Sequence, residues 1–173
     1  MNQAIQNILE RRSWRSYEDR QIEEKQLEQI VQCGLWAPSA MNQQSWHFTV
    51  VQNKQMIQRL TQGCQKMMGV ETDPFYGAPT LILVTGKEGN IAPVADCALA
   101  MENMFLAAAS LGLGSCWINC LGRYLATEEG RQFAQDAGIP QGYVGVGCVI
   151  VGVPKGEAPQ PKERAAGAVN FVR

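Results

Sequence analysis

An α+β fold is what this sequence predicts, with helices around a small mixed central sheet in a single domain spanning residues 1–173. Two segments carry that expectation. TLILVTG (80–86), a continuous apolar run bounded by Pro79 and Gly86, reads as a strand buried on both faces. VADCALAMENMFLAAASL (94–111) is apolar on most sides, as a helix is when it packs on a sheet and on something else as well. Hydrophobic residues at 46% and charged residues at 18% give an ordinary globular balance.

The remaining elements follow in order. Residues 3–10 place Ala4, Ile5, Ile8 and Leu9 on one helical face. A helix near 24–36 repeats Leu27, Ile30, Val31 and Leu35 at helical spacing, with Glu23 and Glu24 at its positive end. Pro38 breaks that pattern, and APSAMNQQSW (37–46) reads as a polar loop. HFTVV (47–51) is a strand, and 54–66 a helix with Met56, Ile57 and Leu60 inward. Gly112 and Gly114 stop the long helix, and SCWIN (115–119) follows as a strand. Thr127 caps a helix with Glu128 and Glu129 in its first turn, ending at Gly138 and Pro140. YVGVGCVIVGV (143–153) is the last internal strand. The tail, 154–173, holds three of the eight prolines and ends in AVNFVR, a short strand that needs something to pack on.

Charge and composition exclude several classes. A formal net charge of −1 does not supply the broad basic surface that nucleic acid requires. Polar residues interrupt every apolar run before the roughly 20 residues of a membrane helix, and the N-terminus lacks secretory features, so a cytoplasmic protein is expected. The six cysteines include no CxxC, and His47 is the one histidine, so neither a zinc site nor a nucleophile–histidine pair is expected. Cys116 and Cys120, four apart, read as ordinary buried thiols.

Against that near-neutral background, ERRSWRSYED (10–19) gathers three of nine arginines, Arg11, Arg12 and Arg15, within five residues. Taken alone, such a run is more readily a solvated basic face than an anion site. No GxGxxG follows a first strand and no GxxxxGK[ST] occurs. So few titratable candidates point to chemistry borrowed from a cofactor.

In order along the chain, RRSWRSY, APSAMNQQSWHF, GAPTLILV, DCALAMENMFLAAASLGLGSCWI and PKER resemble the FMN-dependent nitroreductase family. The resemblance implies a homodimer with two FMN sites at the subunit interface. It also implies a C-terminal arm (154–173) that packs on the partner and gives its strand to the partner's sheet. By position, Arg11, Arg12, Ser13 and Arg15 match the segment that holds the FMN phosphate, ribityl chain and pyrimidine edge, with Arg15 near N1 and the C2 carbonyl. Pro38, Ser39, Ala40 and Asn42 match the loop laid against the flavin by the partner. Trp117, Ile118 and Asn119 match the segment behind the ring, and Lys162 and Arg164 a tail pair on the phosphate. Ser45 stands where the family's usual proline precedes Trp46, which predicts a looser loop, and 63–74 does not align with the pattern.

The implied activity is hydride transfer from NADH or NADPH through FMN to a nitroaromatic, quinone or similar small acceptor, in a ping-pong cycle. A non-catalytic flavin carrier or sensor, and the related dehalogenases and enoate reductases, share the same expected residues.

Overall fold

Residues 2–173 are described by the computed structural model. Four strands, β1 (Trp46–Val51), β2 (Thr80–Lys87), β3 (Gly114–Ile118) and β4 (Tyr143–Gly152), form one sheet in the order β1-β2-β4-β3. Every neighbouring pair is antiparallel, which corrects the expected mixed sheet. The apolar run in β2 is buried along nearly its whole length, as expected. Helices cover it from both sides, and that cover produces the same sequence whichever way the neighbouring strands run. A single parallel bridge joins Ser13, outside the strands, to Ser115 of β3.

Side chains alternate across β2, so its residues feed two cores. Leu81 and Leu83 join Cys148 and Ile150 of β4 beneath α3 (Lys54–Met68), α5 (Leu121–Leu125) and α6 (Glu128–Asp136), which supply Leu60, Leu121, Tyr124 and Phe133. Ile82 and Val84 join Val149 and Val151 beneath α4 (Pro93–Ser110) and α2 (Glu24–Leu35), which supply Ala100, Met101, Met104, Leu27 and Ile30. α4 is therefore the central helix that its all-round apolarity predicts.

α1 (Gln3–Glu10) differs from its neighbours. It forms where the periodicity places it, with the Asn2 side chain accepting from the Ala4 N–H, yet Ile5, Ile8 and Leu9 stay exposed. Leu35, Trp36, Met41, Val94 and Leu99 are exposed too. His47 sits on β1 with its ring edge-on to Tyr143, and burial lowers its pKa. From Lys155 onward the tail is exposed and forms no strand within this chain. No described helix is long and apolar enough to cross a membrane.

Candidate functional site

The arginine segment leaves α1 at Arg11, its C-cap, and runs alongside β3. The Trp14 N–H donates to the Ser115 carbonyl at 2.9 Å. Gly114 permits this approach, because a Cβ there would lie 2.8 Å from Trp14 Cγ. Tyr17 fastens the far end: it is buried, bridges Pro154, and its hydroxyl donates to the Trp14 carbonyl at 2.7 Å. Burial pushes its phenol far above the ordinary range, so Tyr17 stays neutral.

Held in this frame, the arginines diverge. Arg11 lies over the Phe105 ring at 5.9 Å and pairs with Glu102, Nε to Oε1, at 3.6 Å. Arg12 folds back, its Nη1 donating to the carbonyls of Leu9 at 2.8 Å and Arg11 at 2.9 Å. Both line a cavity of about 220 Å³ with Trp14, Gly112 and Pro154. Arg15 is exposed, 5.9 Å from the centre of the Tyr76 ring, and forms no salt bridge among the described residues.

Tyr76 belongs to a larger cleft of about 680 Å³, which it walls together with Asp73, Arg123, Trp117, Ile118 and Asn119. The Asp73 carboxylate accepts from the N–H groups of Phe75 at 2.8 Å and Gly77 at 2.7 Å. Those bonds shape a turn in which Tyr76 takes a φ of 55°, an uncommon value for a bulky residue. This accounts for the unaligned region: α3 continues to Met68, and Val70, Thr72 and Asp73 beyond it become cleft wall. Trp117 packs near Phe105, ring centres 6.4 Å apart, and a Cβ on Gly147 would come within 3.0 Å of the indole.

The loop after α2 is pinned from below. Asp96, buried in the first turn of α4, accepts from the Ala40 N–H at 2.9 Å and from the Ser45 hydroxyl at 2.7 Å. Ser39 Oγ accepts from the Gln44 N–H at 2.9 Å. These bonds hold Met41, Asn42 and Gln44 at φ values of 50°, 54° and 48°. The looser loop expected from Ser45 is thus corrected, because Ser45 is 2% exposed and tied to Asp96. Sequence reasoning missed Asp96, although a carboxylate in the first turn of an otherwise apolar helix, which also carries Glu102, was a signal, since a buried charge needs partners.

One chain brings Arg11, Arg12, Ser13 and Arg15 beside the strand that carries Trp117 and Ile118, with Asn119 at its end. Pro38, Ser39, Ala40 and Asn42 do not line this chain's larger cleft. Lys162 and Arg164 are exposed and make no hydrogen bond or salt bridge among the described residues.

The family model for nitroreductases matches residues 8–153. The chain belongs to the nitroreductase family. A crystal structure of a nitroreductase with bound FMN from Bacteroides fragilis NCTC 9343 is 35% identical, with a TM-score of 0.94 over 100% of both chains. Another nitroreductase with bound FMN, from Desulfitobacterium hafniense DCB-2, is 28% identical with a TM-score of 0.90, again over 100% of both. A protein of Archaeoglobus fulgidus, provisionally named an NADH dehydrogenase/NAD(P)H nitroreductase, is 35% identical over 91% of this chain and 88% of its own. The α+β arrangement described above is therefore the nitroreductase fold.

Proposed function

We propose that this nitroreductase-family chain is an FMN-dependent oxidoreductase of the cytoplasm, taking hydride from NADH or NADPH and reducing nitroaromatic, quinone or similar small acceptors by a ping-pong cycle. The observation that carries the reading is Arg15, a guanidinium with no carboxylate partner among the described residues, beside a cleft walled by Tyr76 and Trp117. The donor set suits a flavin mononucleotide: cations for a phosphate at Arg11 and Arg12, and aromatic wall for a ring. Bound FMN supplies the hydride-accepting chemistry that no side chain here offers.

The protein's own residues hold and tune that group. Arg15 supplies a fixed positive charge, which favours negative charge arriving on a neighbouring ring. Ser13, Arg11 and Arg12 bind the phosphate and ribityl chain, and the backbone at Trp117 to Asn119 offers donors behind the ring. The reading includes a homodimer. In its support, the Pro38–Asn42 loop lies away from its own chain's cleft while remaining rigid, as a wall for a partner's site would be. Trp36 and Met41 expose apolar surface beside or within it in sequence, and Ile5, Ile8 and Leu9 do so on α1, which packs with α4. Lys162 and Arg164, carried on the arm, then complete the partner's phosphate site.

The purified protein is expected to be yellow, with FMN identified by mass after release, and to bleach on anaerobic addition of NADH or NADPH. FAD, or no flavin after reconstitution, overturns the reading. A flavin that both nicotinamides reduce only slowly identifies a carrier or sensor instead.

A further inference from the structure

Two of the six cysteines meet inside the protein at the edge of this cleft. Cys64 of α3 and Cys120, which follows β3 and precedes α5, have sulfurs 3.4 Å apart. Cys64 is fully buried, whereas Cys120 is 7% exposed and lines the cleft with Trp117, Asn119 and Arg123. Neither takes part in the function proposed above. We propose that Cys64 and Cys120 form a redox-active dithiol, which hydroperoxides entering through the cleft convert to an intramolecular disulfide.

Access and charge give the pair its order of reaction. A thiolate, not a thiol, attacks peroxide. While both sulfurs are neutral either can donate to the other; once one ionises, the charge settles on Cys120. The hydrogen bond from Cys64 lowers the Cys120 pKa, and Arg123 lowers it further. The same contact, together with burial, pushes the Cys64 thiol up. Cys148 also lies close to both, but full burial holds it as an inert thiol.

In the first step the Cys120 sulfur attacks a peroxide oxygen. An S–O bond forms, the O–O bond breaks, and an alkoxide or hydroxide leaves. The Cys64 sulfur then attacks the Cys120 sulfenic acid; the S–S bond forms, and hydroxide departs with the Cys64 proton as water. Overall, two thiols and one hydroperoxide give one disulfide, one alcohol and one water. Closing the bond brings the sulfurs from 3.4 Å to about 2.0 Å. The product would tie α3 to the end of β3, across the floor of the cleft.

The test uses the full chain as purified, reduced with dithiothreitol, freed of it, and treated with one equivalent of hydrogen peroxide or cumene hydroperoxide. Free thiols are then alkylated under denaturing conditions and the peptides mapped without reduction. The expected result is a loss of two thiols per chain, a peptide pair joining Cys64 to Cys120, and full recovery on dithiothreitol. Cys97 and Cys148 should react at least about tenfold more slowly. Cys64→Ser should stop at a sulfenic acid on Cys120 that dimedone traps, and Cys120→Ser should leave Cys64 reduced. Oxidation confined to the exposed Cys33, or a Cys120 that oxidises without linking to Cys64, overturns the proposal. The mapping of the unmodified chain needs no variant to fold, and it gives its answer whether or not the protein holds FMN.

Discussion

Arg11 and Arg15 lie four residues apart, yet their surroundings give them separate tasks. Arg11 already has a carboxylate at Glu102 and a ring at Phe105, so it is a held cation at the side of the smaller cavity. Among the described residues Arg15 has the Tyr76 ring but no carboxylate, and it stands open toward the cleft side. Arg15→Ala should therefore make flavin reduction harder by more than it weakens FMN binding, through loss of a charge-assisted contact worth roughly 1.5–3 kcal/mol. Arg11→Ala should chiefly loosen FMN. Redox potentials and FMN dissociation constants of both variants separate the two effects, and an unchanged potential in Arg15→Ala would show that this residue is not beside the ring. A second prediction concerns Tyr124. Its ring packs edge-on to Phe133, but its hydroxyl finds no hydrogen-bond partner among the described residues. Burial accordingly pushes its pKa up to about 12. Removing an unpaired buried hydroxyl costs nothing in lost bonds, so Tyr124→Phe should leave stability unchanged or raise it by up to about 1 kcal/mol in urea denaturation. A clear loss would reveal a partner for the hydroxyl.

At the scale of elements, the loop between α2 and β1 and the start of α4 act as one unit. Asp96 supplies both acceptors, and three residues with positive φ depend on them. Asp96→Ala removes two bonds to a charged group and leaves the Ser45 hydroxyl buried without its acceptor. A loss of about 2–3 kcal/mol is expected from urea titration, with new proteolytic cleavage between residues 38 and 45. Asp96→Asn keeps an acceptor for Ala40 and can donate to Ser45 Oγ, so it should lose less than half as much. Equal losses in the two variants would mean that the negative charge, not the bonding pattern, holds the loop. The same coupling explains why Ser45 serves in place of a proline: a hydrogen bond to a buried carboxylate restrains the chain there.

At the scale of the molecule, the arm is the part that a single chain leaves without a place. Phe171 is 74% exposed and Val172 92%, and the strand expected of AVNFVR does not form within its own subunit. Added to a partner's sheet, the segment would gain backbone hydrogen bonds as well as apolar burial. Burying Val169, Phe171 and Val172 at roughly 1.5–3 kcal/mol each would contribute several kcal/mol per subunit. Removal of residues 159–173 should therefore abolish the proposed dimer and the flavin together, even with Arg11 to Arg15 intact. Size-exclusion chromatography with light scattering measures the first and the visible spectrum the second. A truncated dimer with stoichiometric FMN would show that the arm is only a solvated end.

By itself the sequence determined the order and extent of the elements, because helix and strand periodicities are local properties of burial. The long apolar helix, the doubly buried β2 and the Thr127 cap stand within a few residues of where the pattern put them. α5 escaped because five residues are too few to display a helical period. Only the tertiary structure decided which way the strands run, since two covered faces demand the same apolar run in either direction. It also decided the site's pairings: Arg15 with Tyr76, Asp96 with Ala40 and Ser45, and Cys64 with Cys120. Each joins residues more than fifty positions apart, and no periodicity of a chain encodes contacts that exist only once its sheet has closed.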